Sequence, residues 1–216
     1  MPNFDALRAG VVGPLAYMCK PEIPADLLAL FPMDGSMNDL SRYGRTMSIT
    51  TTPTYTTDGP LGKCAAFKGS FTHNQTTPFT IDFFANFPNS GAGNGNFFPN
   101  CSLFGSAGNN GGGIYGTTVA GHSAEFLLQI TGSNLWLGGS AGTFSHFALT
   151  YDGTTLCAYI DGVRTQAVTV TLNPQSTIHL VAGNTKYCNL RVVGKCLASG
   201  STFPVPSDFY TGFEPI

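Results

Sequence analysis

Charged side chains are scarce in this sequence: only 10 % of its 216 residues are Asp, Glu, Lys or Arg, against about 25 % in an average soluble domain. The ten basic residues are spread singly and the formal net charge is −2, so no groove for nucleic-acid phosphates is expected. A surface with so little charge has weak repulsion between copies. It predicts a homo-oligomer, for which a trimer is one arrangement.

Several other signals are missing. No run reaches the roughly 18 apolar residues of a membrane span, and the first ten residues, which include Asp5 and Arg8, lack the apolar stretch of a signal peptide. The three glutamates, Glu22, Glu125 and Glu214, are isolated. Glycoside hydrolysis requires two neighbouring carboxylates, so no enzyme and no organic cofactor are expected.

The six cysteines are even in number, which is compatible with disulfides. They are Cys19, Cys64, Cys101, Cys157, Cys188 and Cys196. No export signal accompanies them and several lie inside strand-like runs, so buried free thiols are favoured. No Cys-x-x-Cys spacing suggests zinc.

The sequence that remains is typical of β-structure. Phe79, Ile81 and Phe83 alternate with polar residues, as do Phe147, Leu149 and Tyr151 with their neighbours, and such alternation indicates half-buried strands. Asp152-Gly153 and Asp161-Gly162 separate alternating runs, a strong hairpin signal. One extended strand is predicted over 46–57 and a Gly- and Asn-rich loop over 88–113, interrupted by a short strand at 101–104.

About a dozen short strands without a helix predict an antiparallel, all-β sandwich of two sheets. Four prolines punctuate residues 1–26, which are predicted to form an N-terminal arm. The sandwich is predicted over residues 27–216.

One compact cluster of oxygen-bearing side chains lies near the end of the first strand: Asp34, Asn38 and Asp39. Calcium takes six or more oxygen ligands, so this cluster is the candidate Ca²⁺ site. The alternative is that these residues form turns and cap exposed backbone groups.

The order of the segments resembles the laminin-G-like, concanavalin A-type jelly roll. The match rests on the hairpin from His146 to Gly153, on Tyr159-Ile160-Asp161-Gly162, and on the runs 30–35, 64–69 and 79–83. The closing run, with Asn189-Leu190-Arg191-Val192, Phe203-Pro204-Val205-Pro206, Phe209 and Phe213, is similar to the end of such domains in tailed-bacteriophage structural proteins. There an acidic residue stands where this chain has Asn189.

The resemblance implies a non-enzymatic virion structural protein, assembled in the bacterial host cytoplasm. It would be a capsid decoration or cement protein, or a tail or baseplate component. Its partners would be other virion proteins, either major capsid or tail proteins, and its outward-facing jelly roll would contact host-surface glycans. The predicted assembly contacts come from the two ends of the chain: Phe4, Leu7, Val11, Tyr17, Phe209 and Phe213.

The alternative is a carbohydrate-binding, lectin-like module, since sugars stack on exposed aromatic rings. The candidates for contact with a glycan or a partner are Phe97, Phe98, Tyr115 and Trp136. Trp136 stands between Leu135 and Leu137 and should face the opposite side of its strand. For Trp136, packing in the core is the competing interpretation.

Overall fold

The computed structural model describes residues 23–72, 77–87, 101–104, 112–119, 122–130, 133–140, 142–172, 177–180 and 185–207. These residues form fifteen strands: β1 (Leu27–Phe31), β2 (Ser48–Ile49), β3 (Thr54–Gly59), β4 (Gly62–Ala66), β5 (Gly69–Thr72), β6 (Phe79–Asn86), β7 (Cys101–Phe104), β8 (Gly112–Val119), β9 (His122–Ile130), β10 (Ser133–Gly138), β11 (Phe144–Tyr151), β12 (Thr155–Ile160), β13 (Val163–Thr169), β14 (Thr177–Leu180) and β15 (Lys186–Val193). The described ranges contain no helix that is long and apolar enough to cross a bilayer.

The strands make two antiparallel sheets. Sheet A has eight strands in the order β13-β12-β11-β6-β15-β4-β3, with β1 paired to β15. Sheet B has seven strands in the order β10-β9-β8-β7-β14-β5-β2. This architecture confirms the predicted all-β sandwich, and both Asp-Gly pairs lie at hairpin turns, between β11 and β12 and between β12 and β13.

The main core lies on the inner faces of the sheets and follows the predicted alternation. Phe79, Ile81 and Phe83 of β6 are buried there with Phe147 and Leu149 of β11. The rings of Phe83 and Phe147 stack with centroids 5.7 Å apart. The residues between them along each strand therefore lie on the outer face of sheet A.

Two local predictions are wrong. The single strand predicted over 46–57 is two strands, because β2 pairs in sheet B and β3 pairs in sheet A, and the chain crosses between the sheets at residues 50–53. The loop predicted over 88–113 ends too late, since β8 begins at Gly112. Glycine is depleted in strands, and three glycines in β8 hide its pattern.

Residues 194–207, here called the closing segment, return across the outer face of sheet A. Thr80 Oγ1 donates to the Lys195 carbonyl at 2.8 Å, and Thr150 Oγ1 donates to the Ala198 carbonyl. Beyond these anchors, Phe203 is buried against Ala148, Cys157 and Tyr159. The closing segment thus covers part of the outer face of sheet A.

Candidate functional site

The outer face of sheet A carries polar side chains that are buried beneath the closing segment and its neighbours. Five of them are less than 2 % exposed: Thr80, Asp82, His146, Thr150 and Arg191. Such burial is compatible with stability only when the charges are paired and hydrogen-bonded.

Asp82 and Arg191 supply that pairing. Arg191 Nε donates to Asp82 Oδ1 at 2.9 Å and Nη2 donates to Oδ2 at 2.8 Å, a two-pronged ion pair. His146 Nε2 lies 3.5 Å from Asp82 Oδ1, with its ring between Phe84 and Phe203 at centroid distances of 4.8 and 5.6 Å. Burial alone would raise the pKa of Asp82, but Arg191 and His146 outweigh it and lower that pKa. The carboxylate is thus held ionised and closed off from solvent, which suits a structural role.

The outer face of sheet B is different, because strand pairing aligns one residue from each of its seven strands in a single row. The row runs Ser48, Ser70, His179, Ser102, Gly113, Gln129 and Asn134. His179 stands between the buried core residues Ile178 and Leu180, so the row lies on the face opposite to the core. We call it the polar row.

A second set of positions stands beside the polar row on the same face. Tyr115 of β8 pairs with Leu127 of β9, which pairs with Trp136 of β10. Leu137 is buried in the core and Leu135 packs against it, so Trp136 lies on the opposite side of β10, and its side chain is half-buried. The structure therefore places Trp136 outside the core, and we call these three positions the aromatic row.

The strands of sheet B carry almost no charge. Their sequences include no Lys or Arg, and their one acidic residue is Glu125. The positions of the polar row are Ser, His, Gly, Gln and Asn, and none of them is Asp, Glu, Lys or Arg. This face combines neutral hydrogen-bonding positions with two aromatic positions.

The predicted calcium cluster has a different arrangement. Asp39 is fully engaged in shaping the loop after β1: it accepts bonds from the Leu30, Ser41 and Arg45 amides at 2.7–2.8 Å and from Ser41 Oγ. Asp34 and Asn38 are exposed. No group of three or more His, Cys, Asp or Glu side chains is placed to hold a metal ion anywhere in the described ranges. A calcium ion at this loop stays a prediction.

The structure describes only some of the other predicted contact residues. Phe97 and Phe98 lie outside the described residues, as do the assembly candidates Phe4, Leu7, Val11, Tyr17, Phe209 and Phe213. Tyr115 is placed by its backbone pairing in β8.

The polar row was not anticipated from the sequence. Its members come from positions 48 to 179, and only the alternation of His179 with Ile178 and Leu180 gave a local sign of it. The Asp82–Arg191 pair was also missed, because its partners stand 109 residues apart.

Comparison with known proteins agrees with this architecture. The family Laminin_G_3, described as the concanavalin A-like lectin/glucanases superfamily, matches residues 63–195, which is more than half of the chain. No curated protein sequence matches the chain.

Three solved structures illustrate the likeness of fold. Domain 4 of AbnA, a GH43 extracellular arabinanase from Geobacillus stearothermophilus in complex with arabinotriose, aligns with a TM-score of 0.58 at 14 % identity, over 80 % of this chain and 94 % of that domain. The binding domain of botulinum neurotoxin serotype D aligns with a TM-score of 0.60 at 12 % identity, over 80 % of this chain and 48 % of that one. Trypanosoma rangeli sialidase in complex with sialic acid aligns with a TM-score of 0.58 at 12 % identity, over 82 % of this chain and 32 % of the sialidase. This chain therefore spans about half of the toxin domain and about a third of the sialidase.

The family match begins in β4 and ends just after β15, so it includes most of both sheets. With an antiparallel two-sheet sandwich of the same kind, this chain belongs to the concanavalin A-like lectin/glucanase superfamily, in its laminin-G-type family.

Proposed function

We propose that the chain is a non-enzymatic carbohydrate-binding module that holds a neutral glycan on the outer face of sheet B. The observation that carries this proposal is the polar row, seven register-aligned positions with no Asp, Glu, Lys or Arg among them, lying beside the aromatic row. On sheet A, by contrast, the closing segment covers the outer face over β6, β11 and β12.

The two rows suit the chemistry of a sugar. A pyranose or furanose ring presents hydroxyl groups at its edge and C–H groups on its faces, so it needs neutral hydrogen-bond partners and an apolar surface together. Tyrosine and tryptophan combine an apolar body with a polar tip. Gly113 lies between Ser102 and Gln129 in the polar row.

The absence of Lys and Arg from the strands of sheet B favours neutral sugars over acidic ones. A sialic acid or uronic acid carboxylate that loses water on binding needs a cation or several donors to replace its hydration. Among the solved structures of similar fold, the arabinanase domain is in complex with arabinotriose and the sialidase is in complex with sialic acid, so the choice of a neutral sugar rests on the composition of these strands alone.

Two features support a role without catalysis. Glycosidases use two carboxyl groups on either side of the bond that they cleave, whereas the strands of sheet B carry Glu125 alone. Asp82 is buried and paired with Arg191, so it is not available to a substrate.

The test is a glycan array followed by calorimetric titration with the best neutral ligand. Trp136→Ala should weaken binding about tenfold or more, corresponding to a loss of about 1.4 kcal/mol. The matched control is Tyr55→Ala, which removes a 39 % exposed aromatic side chain from β3 of sheet A and should leave the affinity unchanged. Silence of the wild-type protein across neutral glycans, or equal losses in the two variants, would refute the proposal.

A second candidate role is the virion structural protein indicated by the closing run of the sequence. We propose that the module is carried on a phage particle, as capsid decoration or as part of the tail, and displays its sheet B face outward. The closing run from Asn189 to Phe213 supports this candidate, because it is the part of the sequence that is similar to phage structural proteins. Mass spectrometry of purified particles should find the protein in stoichiometric amount, and its absence from intact particles would exclude the role.

A further inference from the structure

Two cysteines from opposite ends of the family match come together in sheet A. Strand β15 pairs with β4 so that Lys186 opposes Ala66 and Tyr187 opposes Ala65. One further step in this antiparallel register sets Cys188 opposite Cys64. Both side chains are fully buried in one cluster with Phe84.

The backbone of β3 covers both cysteines. A β-carbon placed on Gly59 would lie 3.0 Å from Cys188 Sγ and 3.2 Å from Cys64 Cβ, so the backbone of β3 packs directly over the pair. Thr56 Oγ1 lies 3.0 Å from Cys64 Sγ. Burial, together with the neighbouring Cys64, raises the pKa of Cys188, and burial likewise raises the pKa of Cys64. Both groups are therefore thiols in the folded protein, and they react slowly while they stay covered.

We propose that Cys64 and Cys188 form a cross-strand disulfide when the chain folds in the presence of a low-molecular-weight disulfide. The described structure has both residues as free thiols, which is the reduced form of this pair. Directly opposed positions in neighbouring antiparallel strands bring Cβ atoms about 4.5–5.5 Å apart, close to the separation of about 3.5–4.5 Å in disulfides.

The reaction is thiol–disulfide exchange in two steps. One cysteine thiolate attacks the small disulfide, forming a mixed disulfide and releasing one small thiolate. The second cysteine then attacks the protein sulfur of that mixed disulfide and releases the other. The two protons lost by the cysteines end on the two small thiols, the two protein sulfurs lose two electrons in total, and the reagent gains them.

Access to the pair comes through the edge of the sheet. Strand β3 is the outermost strand on this side of sheet A and most of its residues are exposed. Unpairing of the β3–β4 hairpin, or folding that has not yet completed it, uncovers both thiols. Once formed, the bond fastens this edge hairpin to the centre of the sheet, because β15 is bordered by β6.

The test uses the full chain, unfolded with reductant and refolded in a buffer of oxidised and reduced glutathione. Remaining thiols are alkylated and the digest is mapped without reduction. We expect a peptide containing Cys64 linked to one containing Cys188. The oxidised protein should melt about 5–15 °C above the reduced protein, because the bond closes a long loop.

Single variants separate this pair from the other cysteines. Cys188→Ala and Cys64→Ala should each abolish the link and its melting-temperature increment, whereas Cys196→Ala should keep both. The circular-dichroism spectra of all variants should retain the β-sheet signature. Quantitative alkylation of both thiols in refolded wild-type protein, or linkage of Cys64 to a different cysteine, would overturn the proposal.

Discussion

At the residue scale, the most consequential feature is the buried pair of Asp82 and Arg191. Both side chains are at most 1 % exposed and they share three direct hydrogen bonds. A buried ion pair contributes little net stability relative to apolar residues of the same size, but removal of one partner leaves a charge with no compensation. Its effect should therefore depend on whether one partner or both are replaced.

Replacement of Asp82 alone should be severely destabilising. Asp82→Ala leaves the Arg191 guanidinium buried without its carboxylate, and we expect the free energy of unfolding in urea to fall by about 3–5 kcal/mol. The double variant Asp82→Leu/Arg191→Met should recover most of that loss. Asp26→Ala is the control, because it removes a half-buried partner of the exposed Lys195 and should cost less than about 1 kcal/mol. Equal losses in the single and double variants would contradict this account.

The same pair predicts a specific acid sensitivity. The pKa of Asp82 is lowered in the folded protein from an ordinary value of 3.8, so the unfolded chain binds the proton first and acid favours unfolding. The stabilisation is complete above the ordinary pKa and is lost as pH falls through the folded pKa. Urea unfolding between pH 7 and pH 2 should show wild-type stability falling below about pH 4 relative to the Leu/Met double variant. If the difference in free energy of unfolding between the wild type and the double variant stayed constant across that range, the prediction would be wrong.

The sequence predicted the face on which Asp82 lies, but not its burial or its pairing with Arg191. Alternation in the run from Phe79 to Phe83 put Asp82 on the face away from the core, and the structure confirms that placement. Ordinarily such a face meets solvent. The closing segment covers it here, and neither that covering nor the pairing with Arg191 leaves any trace in the local pattern around Asp82.

At the scale of elements, the tip of the β12–β13 hairpin and the closing segment are built together. Asp161 and Gly162 both adopt left-handed backbone angles, with φ of 49° and 79°, as a tight two-residue turn demands. The Gly162 carbonyl accepts the Phe203 amide at 2.8 Å, and Arg164 N donates to the Ser201 carbonyl at 2.9 Å. The Asp-Gly signal therefore specifies both a turn and a docking point for a segment forty residues later.

Gly162→Ala should accordingly cost more than backbone strain alone. A β-carbon there would meet the Phe203 carbonyl oxygen and Val205 Cγ2, each at 2.9 Å. Gly138→Ala is the matched control, because Gly138 has a similar φ of 74° with nothing within 4 Å of the added carbon. Strain at such angles costs about 1–2 kcal/mol, so Gly138→Ala should lose about that amount in urea unfolding and Gly162→Ala distinctly more. Equal losses in the two variants would mean that the closing segment moves away from the added carbon at little energetic cost.

Strand pairings could be predicted from the sequence only where the two strands are close together in the chain. Hairpins β11–β12 and β12–β13 were predictable, because both partners and their turn lie within a few residues of one another. The polar row was not, because its seven members depend on the register of strands that are far apart in sequence. A shift of one residue in any of these pairings would move that strand's contribution to the other face.

At the scale of the whole molecule, positive charge is distributed unevenly between the two sheets. The described Lys and Arg residues lie in strands of sheet A, in loops or in the closing segment, and none lies in a strand of sheet B. The sheet proposed to bind a glycan is therefore the sheet without cations. The sandwich itself follows from composition and alternation, whereas this asymmetry emerges only when strands are assigned to sheets.

The asymmetry predicts that ligand binding is insensitive to salt. Added electrolyte screens interactions between exposed charges, and a neutral sugar on sheet B makes none with Lys or Arg. Calorimetric titration with the neutral glycan should give dissociation constants within about twofold between about 0.05 M and 1 M sodium chloride. A steep loss of affinity with salt would point to an acidic ligand or to a different surface.

The position of β15 has a consequence for the order of events during synthesis. This strand emerges last from the ribosome among the fifteen, yet it separates β6 from β4 and is the partner of β1. Until it is made, sheet A consists of two unconnected pieces and a solitary first strand, whereas every strand of sheet B is already available. Translation must therefore deliver residue 193 before one half of the sandwich can close, and a pause shortly before that point would hold the nascent chain with an apolar layer uncovered.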